Sequence, residues 1–143
     1  MLLPIDLSHE SSWRFALPEA LACVRASSGR LTVITVVRDI NAMLEGLYLS
    51  FQLEGAVAEA RQRLAALVRG QDCEGLDISN EVRFGSIGAE ILAAAEACQA
   101  DLIVMQSHRP EMRDYLIGPN AAFVAQHARC SVLVLRQPAN PAR

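Results

Sequence analysis

Asp101 to Arg136 reads DLIVMQSHRPEMRDYLIGPNAAFVAQHARCSVLVLR, and the two ends of this stretch decide the fold. Leu102 to Met105 (LIVM) and Ser131 to Leu135 (SVLVL) are short apolar runs rich in β-branched residues. Between them Ala121, Val124, Ala125 and Ala128 recur at helical spacing behind Gly118 and Pro119. Near-continuous hydrophobicity over so few residues marks a strand covered on both faces, as in a parallel sheet flanked by helices.

Working outward, Leu31 to Val37 (LTVITVV) is a second buried strand of the same kind, and Ile78 to Phe84 (ISNEVRF) has the partial alternation of an edge strand. Leu2 and Leu3 open a first strand that runs into Pro4. Helical periods separate these runs. Leu53, Val57, Ala60, Leu64, Leu67 and Val68 form one, and Ile87, Ile91, Ala94, Ala95 and Cys98 form another behind Ser86, a candidate N-cap. Trp13, Leu17, Ala20 and Val24 form the earliest, with Pro18 expected to kink it or delay its start. Strands alternating with helices in this way predict a doubly wound α/β domain.

Composition narrows the function. The chain has 143 residues and 13 basic side chains, all of them arginine. Without lysine there is no phosphate loop ending in G-K-[ST], no Schiff-base lysine and no general-base lysine. Any anion is held by arginine, histidine or backbone N–H groups. An apolar content of 52% with a net charge of -3 is globular. That charge, with 4 Phe, 2 Tyr and 1 Trp, lacks the basic field and stacking platforms of a nucleic-acid binder. No apolar run approaches the ~20 residues of a membrane span, and the residues before Pro4 are too few for a signal peptide, so a cytoplasmic location is expected. Cys23, Cys73, Cys98 and Cys130 form no C-x-x-C and have no paired histidines, which disfavours a zinc site. Cys23 and Cys98 read as buried small hydrophobes on helices.

Asp39 to Gln52 (DINAMLEGLYLSFQ) is unusually apolar for a connection, and is open to reading as a helical extension, a pocket lid or a subunit contact. Residues 1–136 read as one domain and 137–143 (QPANPAR) as a flexible tail.

In an open parallel sheet, ligands bind beyond the carboxyl ends of the strands where strand order reverses. Three segments are expected there: Pro4-Ile5-Asp6, Val36-Val37, and the stretch from Gln106 through Ser107, His108 and Arg109 to Gly118-Pro119-Asn120. The last ends at a helix start, whose unpaired N–H groups favour anions, with Ser107, His108, Arg109 and Arg113 as further donors. The same Gly118-Pro119 also suits a plain helix cap, since proline is common at the first helical position. Asp6 is open to binding a ribose or base edge, or to capping the first helix. A phospho-accepting receiver site is disfavoured because it needs a switch lysine. Asp101 precedes its strand and falls at the far end of the sheet. His9 reads as solvated and His127 as a surface packing residue. Ser107 and His108 are adjacent, so their side chains diverge and make a poor nucleophile–base pair.

PIDLSHESSWRFALPEAL, the stretch from Asp101 to Arg136, and the spacing between them resemble the universal stress protein family over essentially the whole chain, and S-H-R-P resembles one bacterial subgroup of single-domain members. The resemblance implies a five-stranded parallel sheet of order 3-2-1-4-5 with helices on both faces, an adenine nucleotide alpha hydrolase-like fold. It implies homodimers through residues 131–136, with tetramers as a further assembly. It places adenine near Pro4, Ile5, Asp6 and Val36, and phosphates on a G-x₂-G-x₉-G-[ST] loop carried here by Met105, Gln106, Ser107, His108, Arg109, Gly118, Pro119, Asn120 and Ala121. Three of the four signature positions differ: Gln106 and Arg109 replace glycines and Pro119 replaces Ser/Thr, while Gly118 is retained. Pro119 lacks both a hydroxyl and an N–H. The family's first strand also has more residues before the proline, so either the strand is short or the natural start lies upstream. The function implied is a stress-response regulator binding ATP or AMP, with Mg²⁺ as the accompanying ion and at most slow ATP hydrolysis. The competing reading is a non-nucleotide, dimeric interaction module of the same fold.

Overall fold

The apolar runs form five strands: β1 (Leu2–Ile5), β2 (Arg30–Arg38), β3 (Asp77–Gly85), β4 (Leu102–Gln106) and β5 (Ser131–Leu135). Among the described residues four helices separate them: α1 (Ala16–Ser27), α2 (Leu47–Arg69), α3 (Ile87–Ala97) and α4 (Pro119–His127), with a 3₁₀ turn at Glu10–Ser12. The computed structural model describes residues 1–38, 47–107 and 117–136, and for residues 47–52 the backbone alone. His108, Arg109 and Arg113, the first part of the 39–52 connection and the 137–143 tail therefore lie outside the described residues.

The sheet is parallel throughout, in the order β3-β2-β1-β4-β5. This is the expected doubly wound arrangement, with strand order reversing at the seam between β1 and β4. β3, the partly alternating strand, lies at one edge, and β5 at the other. β1 is short, four residues, and every one of them is buried.

Side chains alternate along a strand, so the sheet sorts its residues onto two faces. Leu3, Ile5, Leu31, Val33 and Val104 pack with α1 and with Leu64 of α2 on one face. Leu2, Ile34, Ile103 and Met105 pack with Ile91, Ala94 and Ala95 of α3 and with Ala121 and Val124 of α4 on the other. α2 covers the outer strands, which explains why Leu64 is its fully buried anchor while Val57 and Ala60 are only half-buried.

Local departures from the expected elements have local causes. α1 begins at Ala16, which makes Pro18 its third residue, where a missing N–H breaks no intrahelical bond. α2 begins at Leu47, so 47–52 is a helical extension rather than loop. Ser86 occupies the N-cap of α3 with extended backbone, but its hydroxyl makes no capping bond. Cys98, expected to be buried, is exposed, and Cys23 is half-buried. Position 98 is the C-cap of α3, where the chain leaves the helix through Gln99 at φ 51°, so the apolar stripe ends at Ala95. All four thiols are free. Among the described residues no helix is long and apolar enough to cross a membrane.

Candidate functional site

Of the expected site residues, Pro4, Ile5, Asp6, Val36, Met105, Gln106 and Ser107 lie at or near the carboxyl ends of β1, β2 and β4, but the two faces divide them. Val36 and Met105 pack with the α3/α4 layer, and alternation places Pro4 there with Leu2. Ile5 faces the α1/α2 layer. Gln106 does too: its buried carboxamide oxygen accepts the N–H groups of Phe15 (3.0 Å) and Ala16 (3.2 Å) at the start of α1.

The connection from β4 to α4 is closed at its two ends. The Ser107 hydroxyl accepts the Gly118 N–H at 3.1 Å, and the Ser107 N–H donates to the Leu135 carbonyl of β5 at 2.8 Å. Gly118 is the N-cap of α4 with φ -56° and ψ 153°, a conformation open to any residue, and it is buried. Pro119 follows at the first helical position. With the Gly118 amide engaged and no N–H on Pro119, Asn120 and Ala121 carry the remaining N–H groups of the first turn. The structure places Gly118 and Pro119 as the start of α4, the cap reading that the sequence offered.

Asp6 is exposed and engaged locally. One carboxylate oxygen accepts the Ser8 N–H at 2.9 Å, and the other lies 3.0 Å from Nδ1 of His9. The Asp6 N–H donates to the Ser12 hydroxyl (2.8 Å), and that hydroxyl donates to the Asp6 carbonyl (2.9 Å). Asp6 therefore organises the turn that leads into α1. His127 Nδ1 pairs with the Phe123 carbonyl at 2.8 Å, and its ring stacks on Phe123 at 4.3 Å, a surface packing role as expected.

Several residues that the sequence reading passed over shape this region. The buried Thr35 hydroxyl donates to the Ile5 carbonyl at 3.0 Å, closing the end of β1. Arg63 of α2 donates to the Leu7 carbonyl at 2.7 Å and anchors the following turn. Beside Val36 opens a cleft of about 460 Å³ lined by Arg38, Gly85, Ser86, Ile87 and Asn120. Arg38 has the parity of Val36 and so lies on the α3/α4 face. Gly85 turns β3 into α3 at φ 133°, a conformation that side chains resist. Beneath it Arg83 donates to Glu90 (2.9 Å) and Glu81 (2.8 Å), and its hydrogen bond to Glu90 is the main cause raising its already high pKa. Arg83 is thus held as a structural tie between β3 and α3. Among the described residues no group of three or more His, Cys, Asp or Glu is placed to hold a metal.

Comparison with known proteins agrees with this architecture. The sequence pattern of the Universal stress protein family matches residues 1–136. Universal stress protein G of Shigella flexneri is 38% identical over 78 residues, covering 54% of this chain and 55% of that protein. The Salmonella typhimurium protein of the same name is 36% identical over the same length. The match thus spans about half the length of these relatives. Among solved structures, universal stress protein UspA from Lactobacillus plantarum superposes with a TM-score of 0.74 at 21% identity, over 94% of this chain and 96% of that one. A universal stress protein in complex with cAMP superposes with a TM-score of 0.60 at 22% identity, over 95% and 96%. At such identities the structures show the shared fold. With sheet order, helix placement and a family pattern running from residue 1 to residue 136 all in agreement, the chain belongs to the universal stress protein family.

Proposed function

We propose that this protein is a stress-response regulator that binds an adenine nucleotide, ATP or AMP, at the carboxyl ends of its strands. The observation that carries this reading is the cleft between Arg38 and Asn120. It runs from the end of β2, two residues beyond Val36, to the first turn of α4, and so joins the region suited to a base with the region suited to phosphates. The first-turn amides of Asn120 and Ala121 and the α4 dipole favour an anion at one end. Val36 and Met105 lie in the apolar α3/α4 layer near the carboxyl ends of β2 and β4. No described residue is set as a general base, so slow hydrolysis at most is expected, with Mg²⁺ as the nucleotide's ion. The cytoplasm is the proposed location.

Homodimerisation through residues 131–136 goes with this reading. β5 is an edge strand whose Val132 to Leu135 are all partly exposed, and an apolar edge is a template for pairing. The competing role, a dimeric interaction module without nucleotide, draws support from the engaged Gly118 amide and from Pro119, which leave fewer donors for a phosphate chain.

Thermal shift with ATP, ADP and AMP, with and without Mg²⁺, separates the two. A raised midpoint supports nucleotide binding. In that case Arg109→Ala should weaken the shift, Gly118→Val should abolish it, and Pro119→Ser should strengthen it. No shift with any of the three leaves the interaction module as the function.

A further inference from the structure

We infer that Gln106 is a positioning residue for Ser107, Gly118 and the start of α4, an inference that rests on the nucleotide reading only for its effect on affinity. α1 lacks a cap of its own: Phe15 stands at its N-cap in helical backbone with no side-chain capping bond. Each N–H of its first turn can be traced. Phe15 and Ala16 donate to Gln106, Leu17 donates to the Trp13 carbonyl at 2.8 Å, and Pro18 has none. The carboxamide of Gln106 is therefore the cap of α1, supplied from 90 residues away in the chain. It is 7% exposed, so the bond is made where water does not compete.

The next residue completes the arrangement. Ser107 bonds through its N–H to β5 and through its hydroxyl to Gly118. Two consecutive residues thus tie the end of β4 to α1 on one face, to α4 on the other and to β5 alongside. A chain leaving a sheet with three such ties has little freedom in direction, and pre-organised donors bind better than donors that must first be ordered. Glycine at 106 would keep the backbone but lose the tie to α1. In this chain the side chain at 106 therefore neither fills the cleft nor touches the ligand; it fixes where the cleft's donors stand.

The test uses Gln106→Met, which keeps volume but removes the acceptor, and Gln106→Glu, which restores an acceptor favoured at a helix N-terminus. Hydrogen exchange is followed at the amides of Phe15 and Ala16 and, across the sheet, at Ser107 and Gly118, whose N–H groups are hydrogen-bonded. The expected result for Gln106→Met is faster exchange in both sets, by roughly tenfold, with Gln106→Glu returning both toward wild type. Faster exchange confined to Phe15 and Ala16 would make Gln106 a cap and nothing more, and overturns the inference. Nucleotide affinity, measured well below the melting midpoint, should fall roughly tenfold in Gln106→Met and recover in Gln106→Glu. If wild type binds no nucleotide, the proposed function fails while the exchange data still decide the positioning role. Should Gln106→Met not fold, Gln106→Asn, one methylene too short to reach α1, gives the same comparison.

Discussion

Gly88 lies on the face of α3 that meets α4, and a methyl group there would arrive 2.4 Å from Cδ1 of Phe123, 2.9 Å from Cε1 and 3.2 Å from Cγ. Carbon atoms prefer roughly 3.5–4.0 Å, so Gly88→Ala forces the ring or the helices apart. The ring is exposed on its outer side and stacks on His127, whose own imidazole is tied to the Phe123 carbonyl, so moving it aside gives up that contact. Overpacking of this kind costs about 1–3 kcal/mol. Against it stands the gain from replacing a glycine in the first turn of α3, at most the roughly 1 kcal/mol of an interior position. The net expectation is a loss of roughly 1 kcal/mol, lowering the melting midpoint by roughly 3 °C in a domain of this size. In a Phe123→Ala background the obstacle is gone, and the same Gly88→Ala change should stabilise by up to about 1 kcal/mol. The assay is a double-mutant cycle by urea unfolding, read as the shift in midpoint at constant slope. Opposite signs in the two backgrounds are expected. If Gly88→Ala has the same sign and size in both, the contact between α3 and α4 does not restrain position 88 and the reasoning fails.

Three further outcomes follow from the same geometry. Ser107→Ala removes the acceptor of the buried Gly118 N–H and should cost about 1–2 kcal/mol by chemical unfolding, with Ser107→Thr recovering most of it. Arg83→Met breaks the ties to Glu90 and Glu81; since Arg83 keeps 20% of its side-chain exposure, solvent screening limits the loss to about 1 kcal/mol, and the loss should shrink as salt is raised. Burial raises the thiol pKa of Cys73 and of Cys130, so both should alkylate more slowly than a cysteine in a peptide at mildly alkaline pH, as read by mass spectrometry of labelled fragments. The sign for stability is also set. A raised thiol pKa contributes stability that is complete below the unfolded value and is lost as pH rises through the folded one, so alkaline titration should destabilise and acid titration should leave this contribution intact.

What the sequence determined alone was the identity of the elements and which of their faces are buried. Apolar runs such as LTVITVV and helical stripes such as Ile91, Ala94 and Ala95 encode burial in their local period, and hydrophobic burial is a local demand that a short segment expresses by itself. Gly118-Pro119 likewise announced a helix start. Position 98 was misread because a period does not say where a helix stops. Strand order was not in the pattern of any one segment; it came from the resemblance carried by the longer motifs. Tertiary structure alone decided that Gln106 caps α1, that Thr35 closes β1, that Arg63 holds Leu7 and that Arg38 meets Asn120 across a cleft. Alternation along β4 puts Gln106 on the side of Val104, but only the packed sheet says which helix covers that side. A hydrogen bond needs its partners within about 3 Å, and whether residues 90 positions apart come that close depends on how the strands are ordered and the helices laid across them.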